Sequence, residues 1–257
     1  MTTGLTYSTY VTQIATMAVV DPADTAFQVI LPQMITYAEN RMYRDIDFMF
    51  TSTSLHGVSF VLTAGSRNLS FNIDLSLNTD AQAGTFVVSE QINLLTDASG
   101  NASATTNPDA CVRVPLLPVA KEFLDAVYGS SLAANRGKPQ YFTPFNDTLF
   151  FVGPVPDQAY PVEVVGTYRP NSLSAANTTT FISQYLPDVF IMASMIYISA
   201  YQRNFGRLND DPQMAITYES QYQALLKSAV VEEARKKFDA AGWSSQSPAT
   251  VATPSRG

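Results

Sequence analysis

The apolar residues change period twice along the chain, and that switch limits the possible architectures more than any single motif does. Near the N-terminus they recur at helical spacing: Tyr10, Val11, Ile14 and Ala18, then Phe27, Ile30, Leu31, Met34, Ile35, Ala38 and Met42 after an Asp21-Pro22 break. Ser8 is placed to cap the first of these helices, and Pro32 is expected to kink or restart the second. From about Thr51 the pattern alternates or runs β-branched, which predicts strands over 59–63, 69–77, 85–95, 148–152 and 161–168. A short helix is expected over 120–128. Turns are expected at Gly65, 78–84, the small polar stretch 97–107, and Gly153-Pro154-Val155-Pro156-Asp157. Helical spacing returns at Pro187, and Val189 to Tyr201 is apolar almost all round, as in a helix buried on most sides. Asp211-Pro212 opens a last helix with Met214, Tyr218, Tyr222, Leu225 and Ala229 on one face, and Gly242 closes it.

The expected fold is therefore α+β: a helical body of two N-terminal and two C-terminal helices, a long β-rich insertion and an extended C-terminal tail. The boundaries read as 1–50, 51–170, 171–242 and 243–257, with the first and third segments packing together as one body.

Composition then narrows the function. Hydrophobic residues make up 46% of the 257, enough for a packed core. Charged residues make up only 14%, against about 25% in an ordinary globular chain, so the surface resembles an interface more than a solvated face. The net charge of −7 argues against a surface built to bind phosphates. The single Cys111 and single His56 exclude a disulfide framework and Cys/His zinc sites. No nucleophile motif surrounds His56, and there is no P-loop and no Gly-x-Gly-x-x-Gly. The carboxylate pairs Asp45/Asp47 and Glu232/Glu233 read as solvated helix faces. No catalytic residue, cofactor or metal is assigned. The N-terminus lacks the features of a leader, and the longest apolar run is too short to span a bilayer. The expectation is a non-enzymatic structural subunit, made in the cytoplasm and without a membrane stage, that assembles with copies of itself and with partner proteins.

Two groups of residues stand out as contact candidates. Arg235, Lys236 and Lys237 form a compact basic cluster near the end of the last helix; they either complement the helix dipole or dock on an acidic partner. Trp243, the only Trp, opens a Ser-, Pro-, Thr- and Ala-rich tail carrying Pro248, Pro254 and Arg256. Such a tail has too little apolar surface to fold alone. Trp243 either folds back on its own helix or anchors the tail on a partner.

Three stretches resemble the head-to-tail adaptor (connector) proteins of tailed bacteriophages, the short-tailed kind above all. The first is Phe27 to Asp45, with Ala38-Glu39-Asn40-Arg41-Met42-Tyr43-Arg44 at its end. The second is Leu149 to Ser174, with the Pro154-Val155-Pro156 turn, Tyr168-Arg169-Pro170 and Leu173-Ser174. The third is Tyr185 to Met195, with Pro187-Asp188 opening a helix. The resemblance implies a ring, dodecameric in that family, docked beneath the portal of a DNA-filled capsid at the head-tail junction of the virion. Such a ring offers a platform to tail nozzle or fibre proteins and a channel through which DNA passes without specific binding. It implies attachment to the portal through the extended C-terminal segment. It also implies that Glu39, Arg41 and Arg44 serve as structural or subunit-interface ion pairs. Two rivals come from other classes: a receptor- or carbohydrate-binding virion module built on the β insertion, and a hydrolase using Asp45 and Asp47.

Overall fold

The computed structural model describes residues 4–72, 74–75, 83–202 and 214–240. In chain order these form α1 (Tyr7–Met17), α2 (Thr25–Asp45), β1 (Ser52–Leu55), β2 (Asn68–Ser70), β3 (Gly84–Thr96), β4 (Val112–Pro115), β5 (Leu117–Pro118) and α3 (Lys121–Tyr128). There follow β6 (Tyr141–Asn146), β7 (Leu149–Gly153), β8 (Val162–Pro170), α4 (Phe181–Tyr185), α5 (Pro187–Gln202) and α6 (Met214–Ala240). The fold is α+β. The chain divides into two compact units, one holding 1–49 with 172–257 and the other 50–171.

In the helical unit the apolar faces become the core. Tyr10, Val11, Ile14, Ala15 and Ala18 of the α1 segment are buried, as are Phe27, Leu31, Met34, Ile35, Ala38 and Met42 of α2. The axis of the unit is α5, which packs against α1, α2, α4 and α6. Its residues Val189, Phe190, Ile191, Ala193, Ser194, Met195, Ile198 and Ser199 are all buried, so this helix is covered on most sides as its apolar run requires. Helix α4 is a fifth helix that the sequence reading did not contain; Thr180 and Ser183 cap it reciprocally.

Helix starts and stops follow side-chain chemistry, with two corrections. The cap of α1 is Thr6 rather than Ser8: the Thr6 and Thr9 side chains each accept the other's backbone N–H. Pro32 does not restart α2, which runs as one helix through it. Pro32 is exposed, so the Gln28 carbonyl that loses its helical partner lies on the side where water can supply one. At the end of α1, Val19 takes a left-handed φ of 54°. The Val19 N–H bonds the Thr16 carbonyl and the Val20 N–H bonds the Ala15 carbonyl, the two bonds of a Schellman turn. A β-branched residue is costly there.

The other unit is built of two four-stranded sheets, ordered β1-β8-β3-β4 and β2-β7-β6-β5. All strand pairs are antiparallel except β5 with β6. Leu55, Ile92, Leu94, Val162 and Val164 of the first sheet and Leu69, Phe142, Phe150 and Val152 of the second meet in one hydrophobic cluster. Phe71 sits inside it, stacked on Phe150 at 5.5 Å and edge-on to Phe86 at 5.5 Å. Several expected boundaries shift. The segment 59–63 is not a strand: Phe60 and Leu62 are buried core residues, and only Val61 makes an isolated bridge, to Pro161. Of the strand expected over 69–77, the described residues form β2 and, at Asp74, an isolated bridge to Thr85. His56 immediately follows the end of β1. Strands β1, β4, β5 and β6 were not read from sequence; β4 to β6 contain Pro115, Pro118 and Pro144, which mask strand character and suit edges and bulges.

Gly166 of β8 is required by this register. A Cβ there would lie 2.0 Å from the Val88 carbonyl oxygen and 2.8 Å from the Phe86 ring. The irregularities in β3 between Phe86 and Val88 and between Ser89 and Gln91 press its backbone onto β8 at this point.

Candidate interaction surfaces

The Ala38–Arg44 stretch at the end of α2 separates into three different roles. Glu39 is 2% exposed and has no arginine partner among the described residues. Its Oε1 accepts the Leu173 backbone N–H at 3.1 Å, while Oε2 has no hydrogen-bond partner. Burial pushes this carboxyl up to about 7, although the Ser172 hydroxyl and the Leu173 N–H both pull it down. Nearby, the Tyr10 hydroxyl donates to Ser194 Oγ at 2.6 Å, and Ser194 donates to the Phe190 carbonyl at 2.8 Å. Burial drives the Tyr10 phenol far above its ordinary range, and the charge of Glu39 adds to that shift.

Arg41 makes a forked pair with Glu219 of α6, Nη1 to Oε2 at 2.8 Å and Nη2 to Oε1 at 2.5 Å. Its guanidinium lies 4.5 Å from the centre of the Tyr222 ring, and Tyr222 donates its hydroxyl to Asp45 at 2.8 Å. The Glu219 hydrogen bonds hold Arg41 above its ordinary range, and Arg41 holds Glu219 below its own. Arg44 is exposed and pairs with no described residue. Of the acidic pair on which the hydrolase rival depends, Asp45 accepts from Tyr222 and lies 3.5 Å from Arg41, while Asp47 pairs with Lys237. Each carboxylate thus has its own partner within the helical unit.

The basic cluster on α6 is also divided. Lys236 bonds Glu233 at 2.6 Å, lies 3.4 Å from Glu232 and stands over the Phe181 ring. Lys237 is engaged by Asp47. Arg235 alone of the three is exposed with no interaction to another described residue. The buried Glu233 also accepts the Met49 N–H at 3.3 Å, so this end of α6 holds the chain where it leaves the helical unit. Trp243, Pro248, Pro254 and Arg256, like the expected helix boundaries Asp211-Pro212 and Gly242, lie outside the described residues.

Helices α1, α5 and α6 leave an open apolar groove of about 460 Å³. Met17, Ile191, Met192, Ala224 and Leu225 line it, with Gln13, Asp188 and Gln221 as its polar members. Asp188 is exposed and makes no side-chain interaction with another described residue.

The β unit contains a polar network that no motif announced. Glu163 of β8 is buried and accepts from Ser54 of β1 at 2.7 Å, Asn93 of β3 at 2.9 Å and Arg113 of β4 at 2.9 Å. One carboxylate thus ties together all four strands of its sheet. Burial is the largest single influence on Glu163 and raises it, but the three donors together hold it below the ordinary carboxylate range. The only sequence signal was a Glu in an otherwise apolar strand, Val162-Glu163-Val164-Val165. In the loop after β3 the Asp97 carboxylate accepts the N–H groups of Ser99 and Asn101, closing the exposed tip.

Among the described residues no cluster of His, Cys, Asp or Glu could hold a metal ion, and no helix is long and apolar enough to cross a membrane. The exposed features of the helical unit are an apolar groove with Asp188 beside it and Arg235 on the long helix α6, neither paired with another described residue. No curated protein matches the chain. The profile of the SU10 adaptor protein family matches residues 5–252, a span that takes in the whole of the β unit and most of the helical unit. The chain belongs to the SU10 adaptor protein family, a family of bacteriophage adaptors.

Proposed function

We propose that this chain is the head-to-tail adaptor of a tailed bacteriophage virion, of the short-tailed type, and that it acts by assembly rather than by catalysis. Copies form a ring, twelvefold in the reading taken from the family, beneath the portal. The ring joins capsid to tail, carries tail nozzle or fibre proteins, and leaves a channel for DNA. The observation that carries this reading is the family match over residues 5–252. The chemistry agrees with it: chain charge is −7 and only 14% of residues are charged, so subunit faces are cheap to bury and the channel wall has little affinity for phosphate. The receptor- or carbohydrate-binding reading draws no support from the family match.

Within this function the tail from Trp243, with Pro248, Pro254 and Arg256, is the portal-binding segment, and Arg235 is the member of the basic cluster open to a partner. The experiment is electron microscopy of the purified protein mixed with portal rings, for the full chain and for a chain ending at Ala241. The full chain is expected to add a ring to one face of the portal, and the shortened chain to keep its helix content but fail to bind. Equal binding by both would move the portal contact to the helical unit. No binding by either would overturn the adaptor reading, as would tight, salt-sensitive binding of duplex DNA by the isolated protein.

A further inference from the structure

Two unsatisfied features of the helical unit complement one another, yet they lie apart on the same subunit. One is the α1–α5–α6 groove: an apolar floor of Met17, Ile191, Met192 and Leu225, with the unpaired Asp188 beside it. The other is the outer face of the last turns of α6. There Val230 and Val231 are 41% and 49% exposed. Lys227, Val231 and Arg235 follow at four-residue spacing, which sets two unpaired cations on either side of an aliphatic contact. We propose that the groove receives this ridge from a second copy of the chain, with Arg235 of the second copy paired to Asp188. The inference rests on the ring reading above and supplies it with a subunit contact.

Three observations select this occupant. The charges match: Asp188, in the first turn of α5, has no side-chain partner among the described residues, and the unpaired charged members of the ridge, Lys227 and Arg235, are both basic, the exposed Glu232 beside them being engaged by Lys236. The ridge offers exposed aliphatic side chains of a size that an open apolar groove can cover. Arg44, the other exposed and unpaired arginine described in this unit, has Asn40 and Arg41 as its neighbours at helical spacing and no such aliphatic pair. Finally, the subunit does not satisfy itself. Leu225 lines the groove, and Arg235 lies about 15 Å farther along the same helix. A groove at one place and its ridge at another make a head-to-tail contact, which repeats from copy to copy and closes into a ring when the rotation allows.

The test is a pair of charge reversals in the full-length protein, Asp188→Arg and Arg235→Glu, studied singly and as an equimolar mixture. Sedimentation velocity and electron microscopy report assembly, and circular dichroism checks the fold. Each variant alone sets like charges against each other and is expected to assemble at least about tenfold more weakly than the native chain. The mixture is expected to recover, because every contact in an alternating order again joins opposite charges; two surface changes that merely disturbed folding would not rescue each other. Native-like assembly of both single variants, in a protein that does form rings, overturns this contact and leaves the ring reading intact. A mixture no better than its components overturns it too. Rings that form normally in the single variants but no longer bind the portal would assign the groove to a portal segment. Assembly that depends on residues 242–257 yet ignores the reversals would assign it to the tail. A native chain that never oligomerises, alone or on portal rings, removes the ring reading and this contact with it.

Discussion

The Glu39 carboxylate on α2 accepts the Leu173 backbone N–H, the second residue after the chain returns from the β unit, and this carboxylate is almost wholly buried. Its elevated pKa gives the helical unit a pH dependence of definite sign. The folded value of about 7 exceeds the ordinary 4.5, so the folded state binds the proton more tightly. The associated stability is fully present below pH 4.5 and is lost as pH rises through 7, by roughly 3 kcal/mol in total. Glu39→Gln keeps an acceptor for Leu173 without the charge. Urea unfolding at pH 5 and pH 8 is expected to show the variant more stable than the native chain at pH 8 and close to it at pH 5. An unchanged pH profile would show that Glu39 is not the titrating group.

Arg41 tests whether the α2–α6 pair depends on the shape of the guanidinium. Lysine keeps the charge but loses the fork to Glu219 and the flat contact with Tyr222. Both members of the pair are partly exposed, so solvent screens their attraction. Arg41→Lys is expected to cost about 1 kcal/mol, and Arg41→Ala about 2 kcal/mol because the ring contact is lost as well. A negligible cost of Arg41→Lys beside a clear cost of Arg41→Ala in urea titrations would show that charge alone matters there.

Glu163 predicts a pH response of the opposite sign in the β unit. Its donors hold it below the ordinary range, so its contribution is present above the unfolded pKa and disappears as pH falls through the lowered folded value. Glu163→Gln leaves Arg113 with only Asp109 and returns one donor too many to a buried site. The expected cost is about 2–3 kcal/mol at neutral pH, read as a lower urea midpoint for the β unit. A variant as stable as the native chain would show that the four-strand network is dispensable.

Gly166→Ala is the sharpest test of the β3–β8 register. The added methyl meets a backbone oxygen, which cannot rotate aside as a side chain could. Destabilisation of roughly 2–3 kcal/mol is expected, whereas alanine at an unconstrained strand glycine would be neutral or stabilising. The melting temperature of the variant decides between the two.

The sequence determined on its own whatever depends on local period and side-chain chemistry. Helices α1, α2, α5 and α6 were legible because each carries a long apolar face, and α5 was legible as a buried helix because it is apolar all round. The long strands β3 and β8 were legible because β-branched residues run through them. The family resemblance was carried by motifs on these same elements. Tertiary structure decided what depends on residues far apart in the chain. Phe60 and Leu62 look like strand residues but fill a core that Phe71, Phe86 and Tyr160 complete. Glu39, Arg41 and Arg44 form one sequence motif, yet packing buries the first, pairs the second with a residue 178 positions away and leaves the third in solvent. Lys236 and Lys237 are indistinguishable from Arg235 by composition. Only the positions of Glu233 and Asp47 fix which of the three cations remains open to a partner, because an ion pair depends on distance in space rather than on separation along the chain.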